Sequence, residues 1–361
     1  MKRFWIILLI IILVSTFRLN IYDYEHFSVP LPLGDVVVEH ADTVVPVADD
    51  VRIVSISAVG DCTLGTDVSF GIGGSFEAEL MANYYDYRYY FNNVRQYLQS
   101  DDITIINFEG ALSPGGVREN KEYTFKGPPE YINILTCSSV EAANVANNHS
   151  KDYGETALLD TKNLLNGNGI TSFGGSDVAV REVNGIRVGF IGTNALTYEG
   201  RTGFAAALDA LKAMNPQLII ASFHWGSEGA TVADGSQIQL AHMAIDSGVD
   251  LVLGHHPHVL QGIEKYKGKY IVYSLGNFCF GGNKNPVDKD TMIFKQNFKF
   301  VNGTLTDEDD VGIVPCSVSS ITSRNNYQPT PLDGADFDRV REKVISRSAS
   351  YTGVENIKFF R

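Results

Sequence analysis

Six times along this chain a short apolar run stops at a knot of glycine and polar residues, and that recurrence limits the fold more than any other feature. The runs are Ile53–Val59, Ile103–Ile106, Val140–Ala146, Val188–Ile191, Leu218–Ala221, Val249–Leu253 and Tyr270–Tyr273, and all but Val188–Ile191 end in such a knot. Their lengths suit buried strands. Between them, Phe91–Gln99, Glu155–Asn166, Phe204–Met214 and Ile238–Ser247 have helical character. Strands that alternate with helices predict an α/β layered fold, in which ligands gather just beyond the carboxyl ends of the strands. After Gly281 the chain becomes β-rich, with strands expected at Met292–Val301 and Val311–Ser320 and a closing helix at Phe337–Arg347. Strands with few local partners complete an existing sheet, so this tail reads as part of the same unit.

The knots carry the chemistry. Gly60-Asp61-Cys62 puts a carboxylate at a strand tip, and Asn107-Phe108-Glu109 puts an amide and a carboxylate on one side of an extended stretch. Asn147-Asn148-His149-Ser150 offers a carbonyl oxygen beside an imidazole, a mixed donor set suited to Zn, Mn or Fe. Asp152, close behind, either orients an imidazole or caps the next helix, and the capping reading is the stronger of the two. Ser222-Phe223-His224-Trp225-Gly226 follows, with Glu228 two residues on. Gly254-His255-His256-Pro257-His258 holds three of the eight histidines and is the strongest local metal signal. On an extended segment its His-x-His spacing aims two imidazoles the same way. Ser274-Leu275-Gly276-Asn277-Phe278 closes a pocket wall or is structural. Singly, each knot has a bland reading as a turn, a cap or a satisfied core histidine. Six of them after apolar runs point to one shared site.

Charge and cysteines narrow the partners. A net charge of −13 argues against nucleic acid, whose binding is driven by basic patches. Cys62, Cys137, Cys279 and Cys316 contain no CxxC spacing, so neither a zinc knuckle nor a thioredoxin-type motif is available, which argues against structural thiolate zinc, and the expectation is buried or paired thiols with none catalytic. At the N-terminus, Lys2 and Arg3 precede the apolar run Phe4–Phe17, which breaks at Arg18. That is the layout of an export signal, and no small-x-small cleavage site follows directly, which favours a retained anchor over a cleaved signal. The expected organisation is an anchor at 1–20, a linker at 21–50 carrying Pro30, Pro32 and Pro46, and one domain at 51–361 with its β-rich tail from about 282. Tyr84, Tyr85, Tyr87, Tyr89 and Tyr90 form an aromatic stretch that reads as a binding surface or as core packing.

In order, GDCTLG, NFEG, NNHSKDYG, SFHWGSE, GHHPHVLQGIE and YSLGNF resemble the CapA or poly-γ-glutamate capsule-synthesis family, over about residues 52 to 330. The tail Arg324–Leu332, RNNYQPTPL, has the same look. That family is similar to the calcineurin-like metallophosphoesterases, so the resemblance implies a four-layered sandwich of two mixed β-sheets flanked by helices, with one or two divalent metal ions (Mn, Zn or Fe) at the strand ends. Carried over position by position, it implies Asp61, Glu109, Asn148, His224, His256 and His258 as metal ligands. His149 would be the acid for a leaving group, oriented by Asp152, with His255 in the outer shell. One departure stands out: the superfamily pattern begins Asp-x-His, whereas Thr63 stands where that histidine is expected, and Glu109 takes a place more often held by Asp.

The resemblance implies a protein of the extracytoplasmic face of the bacterial membrane, or a secreted one if the signal is cleaved. Its partner would be an anionic capsule polymer of poly-γ-glutamate type or a phosphoester substrate, and other capsule synthesis and export proteins. Metal-dependent hydrolysis is the expected activity. Its rivals are a non-catalytic, metal-containing component that handles polymer, and a purely structural use of the histidines.

Overall fold

The computed structural model describes residues 49–361; the anchor expected at 1–20 and the linker expected at 21–50, save Asp49 and Asp50, lie outside the described residues. Among the described residues no helix is long and apolar enough to cross a membrane.

The apolar runs become the strands of two mixed sheets. The first has a path running through Thr330–Pro331, Val311–Ser317, Asp290–Val301, Val51–Thr63, Ile103–Phe108, Ala142–Asn144 and Thr171–Phe173. From Val51–Thr63 to Thr171–Phe173 its strands are parallel, while Asp290–Val301 and Val311–Ser317 pair antiparallel. The second orders Ile263–Tyr266, Lys269–Val272, Leu251–His255, Leu218–His224, Ile186–Asn194 and Ala179–Val183, with a parallel centre and antiparallel edges. Ile103–Phe108, Leu218–His224 and Leu251–His255 are buried at every residue because both faces of each strand are covered.

The core accounts for the layering. Val54, Ile56 and Ile105 of the first sheet pack with Val188, Ile220, Leu253 and Val272 of the second in one cluster between the sheets. On the outer face of the first sheet, Val59, Ile106 and Ala143 pack with Phe76 and Leu80 of helix Phe76–Ala82 and Leu165 of helix Gly154–Gly167. Ile191, Ala221 and Val252 pack outward against Leu208 and Leu211 of helix Tyr198–Ala213 and Ala241 and Ala244 of helix Gly235–Asp246. The result is helix, sheet, sheet, helix: the four-layered sandwich expected. Each fully buried Leu, Ile or Phe contributes about 1.5–3 kcal/mol, and the three clusters hold most of them.

Three local differences bear on the site. The helix expected at Phe91–Gln99 shrinks to the single turn Arg95–Leu98, which Val94 leads with no side-chain cap. Val51–Thr63 runs past the expected end at Val59 and carries Asp61 within the strand, where its register with both neighbours shifts. Asn277–Phe280 is itself a strand, parallel to Val51–Thr63 with Asn277 opposite Asp61, so the chain crosses from the second sheet to the first at Ser274–Gly276. That crossing explains why Gly60 is a glycine: a Cβ there would stand 2.0 Å from the Gly276 carbonyl oxygen, which accepts a hydrogen bond from Asp61 N at 2.9 Å.

The aromatic stretch divides. Tyr90 is buried and stacks on Phe76 at 4.1 Å between centroids, whereas Tyr84 and Tyr85 are exposed with φ of 55° and 58°. No disulfide forms: all four cysteines are free, and Cys62, Cys279 and Cys316 are buried.

Candidate metal centre

Parallel strands in both sheets point their carboxyl ends to one place, so residues far apart in sequence meet there. Asp61, Glu109 and His224 bring one ligand atom each within 4.8 Å of one another, all three buried. Asn107 binds them together. Its Nδ2 donates to Asp61 Oδ1 at 2.9 Å and to Glu109 Oε1 at 3.2 Å, and lies 3.3 Å from His224 Nδ1. Its Oδ1 accepts from Asn144 Nδ2 at 3.1 Å and Asn147 Nδ2 at 3.3 Å. The two carboxylates take both Asn107 Nδ2 protons, while Asn148 Oδ1, a carbonyl oxygen, can only accept, so His224 Nε2 donates to it at 2.8 Å and Nδ1 is left as the lone-pair nitrogen beside them. Asn148 thereby orients His224 in this arrangement.

The histidine-rich segment surrounds Asp61. His255 Nδ1 lies 3.2 Å from Asp61 Oδ1, off the line of a hydrogen bond, and neither of its buried ring nitrogens has a hydrogen-bond partner. His256 donates its backbone N–H to Asp61 Oδ2 at 3.3 Å, and His258 Nδ1 stands 3.1 Å from the same oxygen and 2.9 Å from Asn277 Oδ1. The two imidazoles of the His-x-His do converge, with centroids 5.7 Å apart. They do so through left-handed backbone, with φ of 94° at His256 and 58° at His258, and not through the strand alternation that the spacing predicts. Such strain at two non-glycine positions of one motif gathers at functional sites.

Electrostatics follow from this burial. Desolvation pushes the Glu109 carboxyl well above the usual range, and the neighbouring charge of Asp61 pushes it further. Burial works the same way on Asp61, yet its contacts with His255 and His258 outweigh it and hold that carboxyl well below its usual value. His258 is pushed up to about 9: burial opposes, while Asp61 and the Glu109 charge prevail. Burial holds His224 well below its usual value and brings His256 down to about 4. Two carboxylates and a neutral imidazole in a dry pocket form a donor set of mixed O and N suited to a borderline divalent cation. The orphaned nitrogens of His255 and His256 mark the same place as incomplete without a bound group. The residues fit a metal.

His149 and Asp152 stand beside it. His149 Nδ1 is 2.9 Å from Asp152 Oδ2, and Asp152 also accepts from Phe125 N at 2.6 Å and faces Lys121 Nζ at 2.5 Å. Asp152 does not cap the following helix, whose N-cap position is Tyr153 with no side-chain cap, so the capping reading gives way to the orienting one. His149, His258 and Asn277 line a cavity of about 820 Å³ together with Phe125, Phe280 and Glu228. Two contributors have no assigned role at the level of sequence. Asn107 reads there as an amide facing the pocket beside Glu109, and its place as the hub emerges only in three dimensions. Glu228 is visible two residues beyond the His224 knot, and its carboxylate comes within 4.8 Å of ligand atoms of His256 and His258.

Residues 55–282 match the family described as bacterial capsule synthesis protein PGA_cap, and that span contains every residue of the site. The chain belongs to this family. It is similar to proteins named for capsule work: a capsule biosynthesis protein CapA of Bacillus anthracis is 28% identical over 334 residues, covering 83% of this chain and 79% of that one. A PGA biosynthesis protein CapA of Bacillus subtilis is 29% identical over 283 residues, covering 71% and 70%. Among solved structures, a hypothetical protein from Thermus thermophilus aligns with a TM-score of 0.44 at 14% identity, over 72% of this chain and 98% of that one.

Proposed function

We propose that this PGA_cap family chain acts in the synthesis or export of an anionic capsule polymer of poly-γ-glutamate type, as a metal-dependent hydrolase held at the extracytoplasmic face of the membrane by its N-terminal segment. The observation that carries the reading is the convergence of Asp61, Glu109 and His224 at strand ends, next to a His149–Asp152 pair that opens on a cavity. A divalent ion held by Asp61, Glu109 and His224 supplies Lewis acidity and local positive charge in a chain of net charge −13. The chain's own residues do the rest. Asn107 keeps the two carboxylates in register, and Asn148 keeps His224 in the tautomer whose Nδ1 faces Glu109. Asp152 holds His149 Nδ1, which leaves Nε2 as the atom available to give a proton to a leaving group in the cavity.

The experiment is direct. Purified protein loaded with Mn²⁺ or Zn²⁺ is incubated with poly-γ-glutamate and, separately, with an aryl phosphoester. Chain shortening or phenolate release that is lost in His149→Ala supports hydrolysis and names the substrate class.

A second reading has its own support in Thr63. Its hydroxyl, 3.5 Å from Glu109 Oε2, stands where the resemblance expects an imidazole ligand, and a thinner ligand set suits holding polymer better than cleaving it. Saturable binding of poly-γ-glutamate with no product from either substrate favours this non-catalytic role.

A further inference from the structure

The cavity beside His149 does not have the charges that a polyanion needs. Beyond the imidazoles of the candidate centre, Lys284 is the one basic side chain among the described residues that line it. Its ammonium is already taken up: Lys284 Nζ donates to Phe70 O, to Gly71 O at 3.2 Å and to Gly73 O at 2.7 Å, which uses all three of its hydrogens. Of the two lining carboxylates, Asp288 pairs with Lys343 at 3.0 Å, and Glu228 lies at the histidine end, within 4.8 Å of ligand atoms of His256 and His258. Away from that end the lining carries no net charge, so a chain with one carboxylate per repeat finds nothing there to balance it.

What the cavity does offer is rings. Phe125 stands 4.4 Å from His149 and 6.3 Å from Phe280 between centroids, and Phe280 stands 5.0 Å from His258. One aromatic wall therefore runs from the candidate proton donor to a candidate metal ligand, and Phe70 and Tyr123, edge to face at 5.7 Å, add to the same lining. Gly282 is a glycine because of this wall: a Cβ there would stand 2.6 Å from Phe280 Cζ and 2.9 Å from Phe125 Cζ. The wall is also tied to the catalytic pair, since Phe125 N donates to the Asp152 oxygen that faces His149 Nδ1. A leaving group within reach of His149 is thereby brought against Phe125.

We propose that Phe125 and Phe280 determine specificity: the site takes an ester with a single anionic head group at the metal and an uncharged aromatic ring against this wall, and not the repeating body of a polyanion. The inference rests on the metal-dependent hydrolase reading and narrows its substrate. In that hydrolysis the bond between the head group and the oxygen carrying the ring breaks, and this oxygen takes the proton of His149 Nε2. Water supplies both the oxygen added to the head group and the proton returned to His149. A ring against aromatic faces gains affinity beyond the apolar area it covers, which a small alkyl group does not.

The test compares affinities on the full-length chain loaded with Mn²⁺, by titration calorimetry with phenylphosphonate, methylphosphonate and γ-linked triglutamate. The expected result is that phenylphosphonate binds wild type at least about fivefold more tightly than methylphosphonate, and more tightly than triglutamate. Phe280→Leu and Phe125→Leu keep apolar bulk and lose the ring, and each should cut the phenyl-to-methyl ratio by about three- to tenfold. A ratio does not move when part of the protein is merely misfolded or unloaded, so the variants report on the wall itself. Equal affinity of wild type for the two phosphonates, or a ratio that survives both variants, overturns the wall and leaves the hydrolase reading standing. Tightest binding by triglutamate overturns it as well and returns the polymer to the cavity. No binding of any probe to the loaded protein removes both the wall and the reading on which it rests. The expected ratios without release of phenol from phenyl phosphate sustain the wall and overturn hydrolysis alone.

Discussion

His149 Nδ1 stands 2.9 Å from Asp152 Oδ2, three residues along the same turn, with Asp152 fully buried and His149 on the cavity wall. The pair is rigid because Asp152 is held from two further sides, by the Phe125 amide and by Lys121. His149→Ala is therefore expected to lower the hydrolytic rate by about 10²–10⁴ while leaving metal content at the wild-type level. Steady-state rates and elemental analysis on the same preparation check it. Loss of metal together with rate would place His149 among the ligands instead.

Asp152→Asn probes the other half of the pair. A carboxamide with its oxygen in the place of Oδ2 keeps Phe125 N and His149 but turns its NH2 on Lys121 and loses the ion pair, whereas the reverse orientation leaves the buried Phe125 N–H without its acceptor. The expected cost is about 1–3 kcal/mol of stability, read from denaturant unfolding, together with a fall in rate smaller than that of His149→Ala.

Metal should stabilise the fold as well as serve the chemistry. Asp61 and Glu109 are buried carboxylates that share one amide, and Glu109 is pushed well above its usual value by burial and by Asp61. A cation between them relieves that repulsion in the native state only. At an ion concentration of 100 times Kd the gain is about 2.7 kcal/mol, which a thermal melt registers as a rise of several degrees that chelator reverses. Asp61→Asn should abolish the rise.

Much of this site is legible in the sequence because strands buried on both faces leave an unmistakable apolar run, and the residue that ends each run must sit at the sheet's edge. Asp61, Glu109, His224 and His255 are placed that way. The His256–His258 spacing gives the right neighbours for the wrong reason, since convergence depends on two left-handed residues that no alternation rule encodes. Asp152 is ambiguous because a carboxylate just before a helix looks alike whether it caps or orients, and only the position of Phe125 N and His149 decides. Asn107 looks like any strand-end amide, and its partners Asn144 and Asn147 lie 37 and 40 residues away. Contacts of that range leave no local pattern.

Gly60→Ala tests the crossing between the sheets. The new Cβ would meet the Gly276 carbonyl oxygen at 2.0 Å, and its nearest neighbours are all backbone atoms of Leu275 and Gly276, with no flexible side chain to yield. Either the Asp61 N to Gly276 O hydrogen bond breaks or the strand Asn277–Phe280 shifts, and both displace Asp61. The expected loss is about 3 kcal/mol or more, accompanied by loss of bound metal, measured by unfolding and elemental analysis.

Asp67 supplies a pH dependence away from the metal ligands. Burial alone would raise its carboxyl, but Ser69, Thr124 and Arg118 outweigh burial and hold it below the 3.8 of a free carboxyl. Thr124 N donates to Asp67 Oδ2 at 2.6 Å and Ser69 N to Oδ1 at 2.7 Å, which ties the 67–70 turn to the segment that leads into Phe125. A group whose folded value lies below its unfolded one adds stability that is fully present above the unfolded value. That stability is lost as pH falls below about 4 and on through the folded value. Asp67→Asn should therefore cost about 1.5–3 kcal/mol at pH 7, the worth of hydrogen bonds to a charged acceptor, and progressively less as pH falls below 4. Unfolding curves of both proteins across that range check it, and a cost that stays constant with pH would show that Asp67 acts through its shape and not its charge.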